Sequence, residues 1–176
     1  MADDPIVVVQ YDPEWPRRFE AERALLERLL APWLEGGVRH VGSTAIPGIA
    51  AKPIIDMIAG VRDLDEARAA FDPLRERSYL YAPHRPGISH HFSKPSLRFS
   101  EQTHGLSLTE PGSDLWRERL AFRDALRADP ALVGAYEALK LRLAQEHRED
   151  SAAYVAGKRA FVGRVLASAG LQFGRR

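Results

Sequence analysis

The chain has 176 residues, of which 45% are hydrophobic and 28% charged, a composition typical of a single globular domain over residues 1–176. Its formal net charge of +1 gives no strong case for binding to nucleic acid or to an anionic membrane. No cysteine is present, which excludes disulfides and thiolate-ligated metal sites. Because the sequence has neither an apolar signal core nor an apolar run of about 18 residues, we expect a cytoplasmic protein.

The first half of the sequence alternates between short β-branched runs and amphipathic stretches. Strands are predicted at residues 6–9, 38–41 and 53–61, and helices at residues 12–34 and 63–77. Asp12 followed by Pro13 is a typical helix start, and Asp63 is expected to cap the second helix. The loop at residues 42–48 contains glycine and proline and separates two of the strands.

The second half changes character near residue 111. Residues 79–110 have no helical period and predict two or three antiparallel strands, with β-like pieces at 79–81, 91–92, 97–99 and 106–108. Helices are then predicted at residues 114–128, 130–148 and 151–169, followed by a frayed tail at 172–176. The layout predicts an α+β fold, with a mixed β-sheet flanked by helices over residues 1–110 and a helical C-terminal third over residues 111–170.

The stretch from Gly42 to Asp56 contains the clearest chemical signal. Gly42-Ser43 after a strand gives a backbone that can approach a phosphate closely and offers amide and hydroxyl donors. A carboxylate such as Asp56, set in an isoleucine-rich strand, is costly to bury unless it meets a cation or hydrogen-bond donors. Mg²⁺ bridging to a triphosphate is one natural partner. The alternative is structural: Asp56 caps a loop or pairs with Arg39 or Lys52.

Several segments of the chain follow the pattern of one known family. They are residues 8–16, 19–22, 40–56 and 110–113, with further matches at Trp116, residues 122–124, Tyr136, Lys140, Tyr154, Lys158 and Phe161. On these residues the sequence resembles the GrpB family, which is assigned to the nucleotidyltransferase fold superfamily. The resemblance implies a nucleotidyltransferase-like mixed sheet. It also implies a Gly-Ser turn beside a strand whose acidic residues hold two Mg²⁺ ions.

The chain departs from that implied pattern at four positions. Ile58 stands where nucleotidyltransferases have the second carboxylate of the pair, which the GrpB pattern also lacks. Arg39 replaces a glutamate found in many family members, and Gly105 and Ser107 replace two histidines. None of the replacements is a good metal ligand. A two-metal centre needs several anionic or imidazole ligands, so the departures weaken that mechanism for this chain.

The candidate site residues fall into three groups. Asp56, His104 and His40 are the catalytic candidates, and Asp56 is also the candidate metal ligand. The candidates for holding phosphate are Gly42, Ser43, Thr44, Lys52 and Lys158; those for contacting the rest of a substrate are His91, Lys94, Arg98 and Tyr154. For the histidines of residues 79–110 the alternative is a solvated loop, and for the lysines it is packing over aromatic rings.

These residues lead to one main functional hypothesis and two alternatives. The main hypothesis is a protein that binds a nucleotide or a phosphorylated small molecule and transfers a nucleotidyl group from a nucleoside triphosphate with Mg²⁺. The first alternative is a metal-independent enzyme that uses the same cleft and histidine chemistry on a small metabolite. The second is a binding module without chemistry. The acceptor, the nucleotide base and the oligomeric state are not predicted.

Overall fold

A computed structural model describes residues 5–172 and residue 174 of the chain. In this part of the chain the helices are α1 (Trp15–Leu30), α2 (Phe71–Glu76), α3 (Asp114–Ala128), α4 (Pro130–Glu146), α5 (Ser151–Gly157) and α6 (Arg159–Ser168). The strands are β1 (Leu34–Val41), β2 (Ile55–Val61), β3 (Leu80–Tyr81), β4 (His90–Lys94) and β5 (His104–Thr109). None of the helices in these residues is long and apolar enough to cross a lipid bilayer.

The strands form one mixed sheet in the order β1-β2-β5-β4-β3. β2 and β5 run parallel to each other at its centre, while β1, β4 and β3 join by antiparallel pairing. In the register of β2 and β5, Asp56 lies opposite Gly105 and Ile58 lies opposite Ser107. Because side chains alternate between the two faces of a strand, this register places Asp56, Gly105 and Ser107 on one face of the sheet.

The other face of the sheet packs against α1 and α2 and forms the larger hydrophobic core. In α1 the buried residues Trp15, Phe19, Leu26 and Leu30 recur at the spacing of one helical stripe. Their counterparts in the sheet include the alternate residues Ile55, Met57, Ala59 and Val61 of β2. α1 therefore covers the face of the sheet opposite to Asp56.

The C-terminal helices form a second core around the loop between β1 and β2. Ile46 and Ile49 of that loop are buried with Leu126 of α3, Tyr136 of α4 and Phe161 of α6. Side chains of Ser113, Asp129 and Asp150 cap the first turns of α3, α4 and α5 respectively. The C-terminal helices thus pack against the loop that carries the Gly-Ser sequence.

The predicted α+β architecture is confirmed, but several element boundaries differ. Residues 6–9 form no strand: Val9 makes one bridge to Ala51, and Ile6 is buried against Leu143 and Tyr154. α1 begins at Trp15 instead of residue 12, because Asp12 accepts a hydrogen bond from the Glu14 amide outside the helix. The tail expected to fray at residues 172–176 lies largely outside the described residues.

Three further segments differ from the prediction. Residues 97–99 form a turn and the start of a 3-10 helix instead of a strand. Residues 63–77 divide into a 3-10 helix at Glu66–Ala70 and the short α2. The third C-terminal helix is interrupted at Lys158, which ends α5 and begins α6.

Candidate functional site

The Asp56 carboxylate lies between two glycines on neighbouring segments. A Cβ atom added at Gly42 would lie 2.6 Å from Asp56 Oδ2, and one added at Gly105 would lie 2.8 Å from Asp56 Oδ1. Both distances are too short for real atoms, so any other residue at either position requires the structure to shift. The absence of side chains at Gly42 and Gly105 is what makes room for the carboxylate in the sheet.

Three cations lie near this carboxylate and act on its pKa. Burial raises the pKa of Asp56, whereas the positive charges of Arg119, Lys52 and Lys158 act in the opposite direction. Neither Arg119 nor Lys158 has a nitrogen within 4.0 Å of the carboxylate oxygens, and Asp56 keeps partial solvent access. The carboxylate therefore lies in a locally positive environment.

Tyr154 holds two of these lysines. Its side chain is buried, at 1% exposure, and Lys158 Nζ lies 4.5 Å from the ring centroid. Lys52 Nζ lies 5.5 Å from the same ring and 3.3 Å from the ring of Phe99. Such contacts between ammonium groups and aromatic faces are attractive and orient the lysine side chains. The lysines thus pack over aromatic rings, as the structural alternative expected. This packing brings both ammonium groups to the face of the sheet that carries Asp56.

A further lysine, Lys140, lies behind this group in the interior. It is only 2% exposed, and its Nζ donates a hydrogen bond of 2.5 Å to the carbonyl oxygen of Ala50. Burial and the charge of Lys158 lower the pKa of Lys140 to about 7. Burial also lowers the pKa of Lys158 to about 8, although the negative charge of Asp56 opposes that shift. The C-terminal helices therefore concentrate positive charge against this face of the sheet.

The Gly-Ser turn lies at the edge of the same group. Gly42 has a φ of 70°, in the left-handed region that favours glycine. The Ser43 side chain hydrogen-bonds to the hydroxyl of Tyr136, whose pKa burial raises to about 12. Thr44 serves the fold instead: it is buried, its hydroxyl donates to the carbonyl oxygen of Ile54, and it contacts His40.

His91 is the histidine that the sheet brings to the side of Asp56. Its Cε1 lies 3.6 Å from the position of a Cβ on Gly105, the same position that Asp56 Oδ1 approaches. Its Nδ1 shares a hydrogen bond of 2.9 Å with the hydroxyl of Ser107. Burial, together with the charges of His84 and Arg119, lowers the pKa of His91 to about 4. The ring is therefore neutral at neutral pH.

The structure places two of the predicted site residues on the opposite face of the sheet. Lys94 Nζ and the hydroxyl of Tyr79 both donate to Glu22 Oε1 of α1, at 2.7 and 2.8 Å. His104 Nε2 lies 3.9 Å from the other carboxylate oxygen of Glu22. Burial lowers the pKa of His104, and the charge of Glu22 only partly opposes this. His104 and Lys94 thus form a partly buried network with α1 and do not meet Asp56.

His40 and Arg98 also lie away from Asp56. The ring of His40 stacks on Phe19 of α1 with centroids 4.6 Å apart, and its Nε2 bonds to Thr44. Arg98 pairs with Glu101 at the surface, at 3.6 Å. The cause is strand alternation: His40 and His104 occupy register positions whose side chains point to the α1 side, one residue from those that face Asp56.

The donor set around Asp56 does not fit a two-metal centre. Within the described residues, no group of three or more His, Cys, Asp or Glu side chains is placed to hold a metal ion. The groups that surround Asp56 are instead cations, which compete with a metal ion for the carboxylate. The chemistry of this set suits an anion.

Sequence reasoning did not identify Arg119, whose charge acts on Asp56, His91 and Lys158 alike. A signal was present: Arg119 lies four residues after the buried Leu115 and seven before the buried Leu126, on the apolar stripe of α3. An arginine on the buried face of a helix is expected to interact with an acidic or polar partner there. Tyr136, which contacts Ser43, appears in the sequence analysis only as a match to the family pattern and is the second omission.

Comparison with known proteins gives a consistent family. The sequence profile described as "GrpB protein" matches residues 5–168. The chain is 33% identical to the "Glutamate-rich protein GrpB" of Alkalihalophilus pseudofirmus, covering 92% of this chain and 94% of that one. It is 37% identical to the "UPF0157 protein" of Deinococcus radiodurans, covering 90% and 80% respectively.

A solved structure extends the comparison to three dimensions. The crystal structure of the conserved protein GrpB from Enterococcus faecalis superposes with a TM-score of 0.84 at 29% sequence identity. The superposition covers 93% of this chain and 96% of that chain. Sequence profile, relatives and fold agree over nearly all of the described residues, and the chain therefore belongs to the GrpB family.

Proposed function

We propose that the protein binds a nucleotide or another phosphorylated small molecule on the sheet face that carries Asp56. The observation that supports this most directly is the convergence of Lys52, Arg119 and Lys158 on one partly enclosed carboxylate. Three cations near a single acid leave an excess of positive charge on this side of the sheet. A diphosphate or triphosphate carries the negative charge that balances this arrangement.

The turn after β1 gives the phosphate a place to approach the backbone. Gly42, with a φ of 70°, shapes this turn and lies directly against Asp56, so a phosphate at the turn would lie beside the carboxylate. Ser43 adds a hydroxyl at the same point, held by its hydrogen bond with Tyr136. We assign the phosphate to the space among this turn, Lys158 and Arg119, with Tyr154 fixing the position of the lysine.

The residues present favour chemistry without a metal over a two-ion mechanism. We propose nucleotidyl transfer as the reaction, although the described residues around Asp56 do not fit two Mg²⁺ ions. His91 supplies the alternative: its ring is neutral, its Nδ1 is held by Ser107, and it lies close to Asp56 over Gly105. A neutral imidazole so placed accepts a proton from a substrate hydroxyl, while Arg119 and Lys158 balance charge on the phosphate.

Calorimetric titration tests the binding proposal. Wild-type protein is titrated with ATP, GTP, CTP, UTP and inorganic triphosphate, and the Lys158→Met variant is titrated in parallel. We expect saturable binding to the wild type and a loss of about tenfold or more in the variant, because a charge-assisted contact to phosphate disappears.

The matched control is Lys94→Met, which removes a lysine from the opposite face of the same sheet. Binding that is equal in wild type and Lys158→Met, or that is lost in Lys94→Met instead, contradicts the proposal. Repeating the titration in EDTA distinguishes Mg²⁺-dependent binding from binding without a metal. Affinity that persists in EDTA supports the metal-independent proposal. Assay of product formation then distinguishes an enzyme from a binding module.

A further inference from the structure

A cavity of about 300 Å³ lies at the free edge of β1, between α1 and α3. Its walls come from α1, from β1, from the loop after β1 and from the last two turns of α3. We call Asp56 and the three cations near it, Lys52, Arg119 and Lys158, the Asp56 group. None of these residues is among the described residues that line the cavity. The cavity is at the lower end of the sizes typical of small-molecule sites.

Four arginines line this cavity: Arg23, Arg39, Arg123 and Arg127. Arg23 pairs with Glu20 at 2.7 Å, and Arg123 pairs with Asp124 at 2.8 Å. Within the described residues, neither Arg39 nor Arg127 has a carboxylate oxygen within 4.0 Å. Two positive charges at the cavity are therefore without a direct counter-charge.

The protein holds two of these arginines in place through backbone carbonyl groups. Arg127 Nε donates a hydrogen bond of 2.9 Å to the carbonyl oxygen of Ala45, and Arg123 Nη1 donates one of 3.1 Å to that of His40. Burial and the charge of Arg123 lower the pKa of Arg127, and the same two arginines contribute to lowering the pKa of His40 to about 4. Like charges held close together in this way repel, and a bound anion relieves the repulsion.

The remaining walls suit an organic group. Tyr11, Pro16, Val38 and Pro47 supply apolar surface beside the arginines. Arg23 Nε is buried and has no hydrogen-bond partner among the described residues, so one donor at the wall is unsatisfied. A bare inorganic ion would leave the apolar walls without a contact, whereas a phosphate carried on a small organic group reaches both parts of the cavity.

We propose that this cavity is a second anion site, which binds a small phosphate monoester through the guanidinium groups of Arg39 and Arg127. Guanidinium groups bind phosphate oxygens in a bidentate manner, and a phosphate monoester carries close to two negative charges at neutral pH. That charge equals the excess that the cavity presents. The site is independent of the Asp56 group and does not rest on the function proposed for it.

The test uses phenyl phosphate and methyl phosphate as probes, titrated into full-length protein that carries Lys158→Met. This background weakens phosphate binding at the Asp56 group, so that the signal reports the arginine cavity. Calorimetry measures affinity, and NMR of the His40 ring reports binding at the cavity wall. We expect saturable binding that moves the His40 signals and that weakens about tenfold in Arg39→Gln.

Two further variants keep the result interpretable. Arg17→Gln removes an exposed arginine of α1 that pairs with Glu14 and does not line the cavity, and it should bind as before. Arg39 has no ion pair within the described residues, so its replacement leaves the fold intact even where Arg127→Gln does not. Three results would overturn the proposal: no saturable binding up to about 10 mM, equal losses in Arg39→Gln and Arg17→Gln, or succinate binding as tightly as phenyl phosphate.

Discussion

Asp56 occupies space that exists only because Gly42 and Gly105 carry no side chains. The two glycines differ in one respect. Gly42 also has a positive φ of 70°, while Gly105 lies in regular β5 opposite Asp56. Substitution at Gly42 therefore combines backbone strain with a steric clash, and the two contributions are separable by comparison with another positive-φ glycine.

Gly48 provides that comparison, because its φ is 81° and no atom lies within 4 Å of its added Cβ. We expect Gly48→Ala to destabilise the protein by about 1–2 kcal/mol from backbone strain alone. Gly42→Ala should cost about 1–3 kcal/mol more, since its Cβ would lie 2.9 Å from Asp56 Cβ as well as close to Oδ2. Urea denaturation of both variants measures the difference.

A second background identifies the clashing group. When Gly42→Ala is combined with Asp56→Gly, the extra cost relative to Gly48→Ala should largely disappear. Equal destabilisation by Gly42→Ala and Gly48→Ala would show that the carboxylate does not fill the space beside Gly42.

Part of the predicted set of residues lies together in the structure. The Gly42-Ser43 turn, Lys52, Lys158 and Asp56 were placed together, and the structure brings them to one face. The predicted partners His104 and Lys94 lie on the other face because a shift of one residue in strand register exchanges the faces. Register depends on pairing between distant segments, which the local pattern of residues 79–110 does not reveal.

The interruption between α5 and α6 is the element that positions Lys158. α5 ends at Gly157, and Lys158 forms the junction that starts α6. A Cβ added at Gly157 would lie 2.5 Å from Leu143 Cδ2, so the end of α5 packs closely against α4. The close packing of α5 against α4 therefore helps to determine where Lys158 lies relative to Asp56.

Gly157→Ala should therefore disturb both stability and binding. We expect a loss of about 1–3 kcal/mol as Leu143 is displaced, together with weaker binding of inorganic triphosphate. The matched control is Gly163→Ala in α6, where nothing lies within 4 Å of the added Cβ. That variant should be neutral or more stable by up to about 1 kcal/mol, because alanine favours a helix over glycine.

Thermal and urea denaturation, followed by calorimetry with triphosphate, measure both variants. Similar stability and affinity in Gly157→Ala and Gly163→Ala would remove the role assigned to the junction.

Element prediction succeeded where periodicity and caps coincide. The pattern of α3, with Ser113 at its cap, gave the helix at residues 114–128 as observed. The strand prediction failed for residues 6–9, which are rich in β-branched side chains. This segment packs on the C-terminal helices, where Ile6 is buried, and does not join the sheet. Propensity alone does not distinguish a paired strand from an extended segment packed on helices.

For the whole molecule, the buried lysines predict an unusual dependence of stability on pH. The pKa of Lys140 falls from 10.5 to about 7 and that of Lys158 from 10.5 to about 8. Above pH 7 the folded protein releases these protons while the unfolded chain keeps them. Because the unfolded state then binds more protons, the free energy of unfolding should rise with pH, by a few kcal/mol between pH 7 and about 9.5.

The upper limit of this range is set by buried tyrosines. Burial raises the pKa of Tyr79 and of Tyr154 above the usual value of a tyrosine. Above about pH 10 these tyrosines ionise in the unfolded chain but stay protonated in the folded protein, so the free energy of unfolding falls as pH rises further. Urea denaturation at a series of pH values measures the slope. Lys140→Met should reduce it and Lys94→Met should leave it unchanged; a flat or falling curve in the wild type would contradict the buried positions of both lysines.

The molecule as a whole was the most predictable scale. A mixed sheet followed by a helical third was expected from the change of pattern near residue 111, and the family of the chain supports the same layout. Composition and the order of patterns determine which layers form. They do not determine which face of the sheet receives the C-terminal helices, and that choice decides which side chains meet Asp56.

A crystal structure of the protein with inorganic triphosphate tests phosphate binding beside Asp56 most directly. We expect phosphate oxygens within hydrogen-bonding distance of Lys158 and Arg119, beside the Gly42-Ser43 turn and on the face of the sheet opposite to α1. Triphosphate bound only beside His104 and Lys94 on the α1 face, or a direct ion pair that closes the space between Asp56 and Arg119, would contradict it.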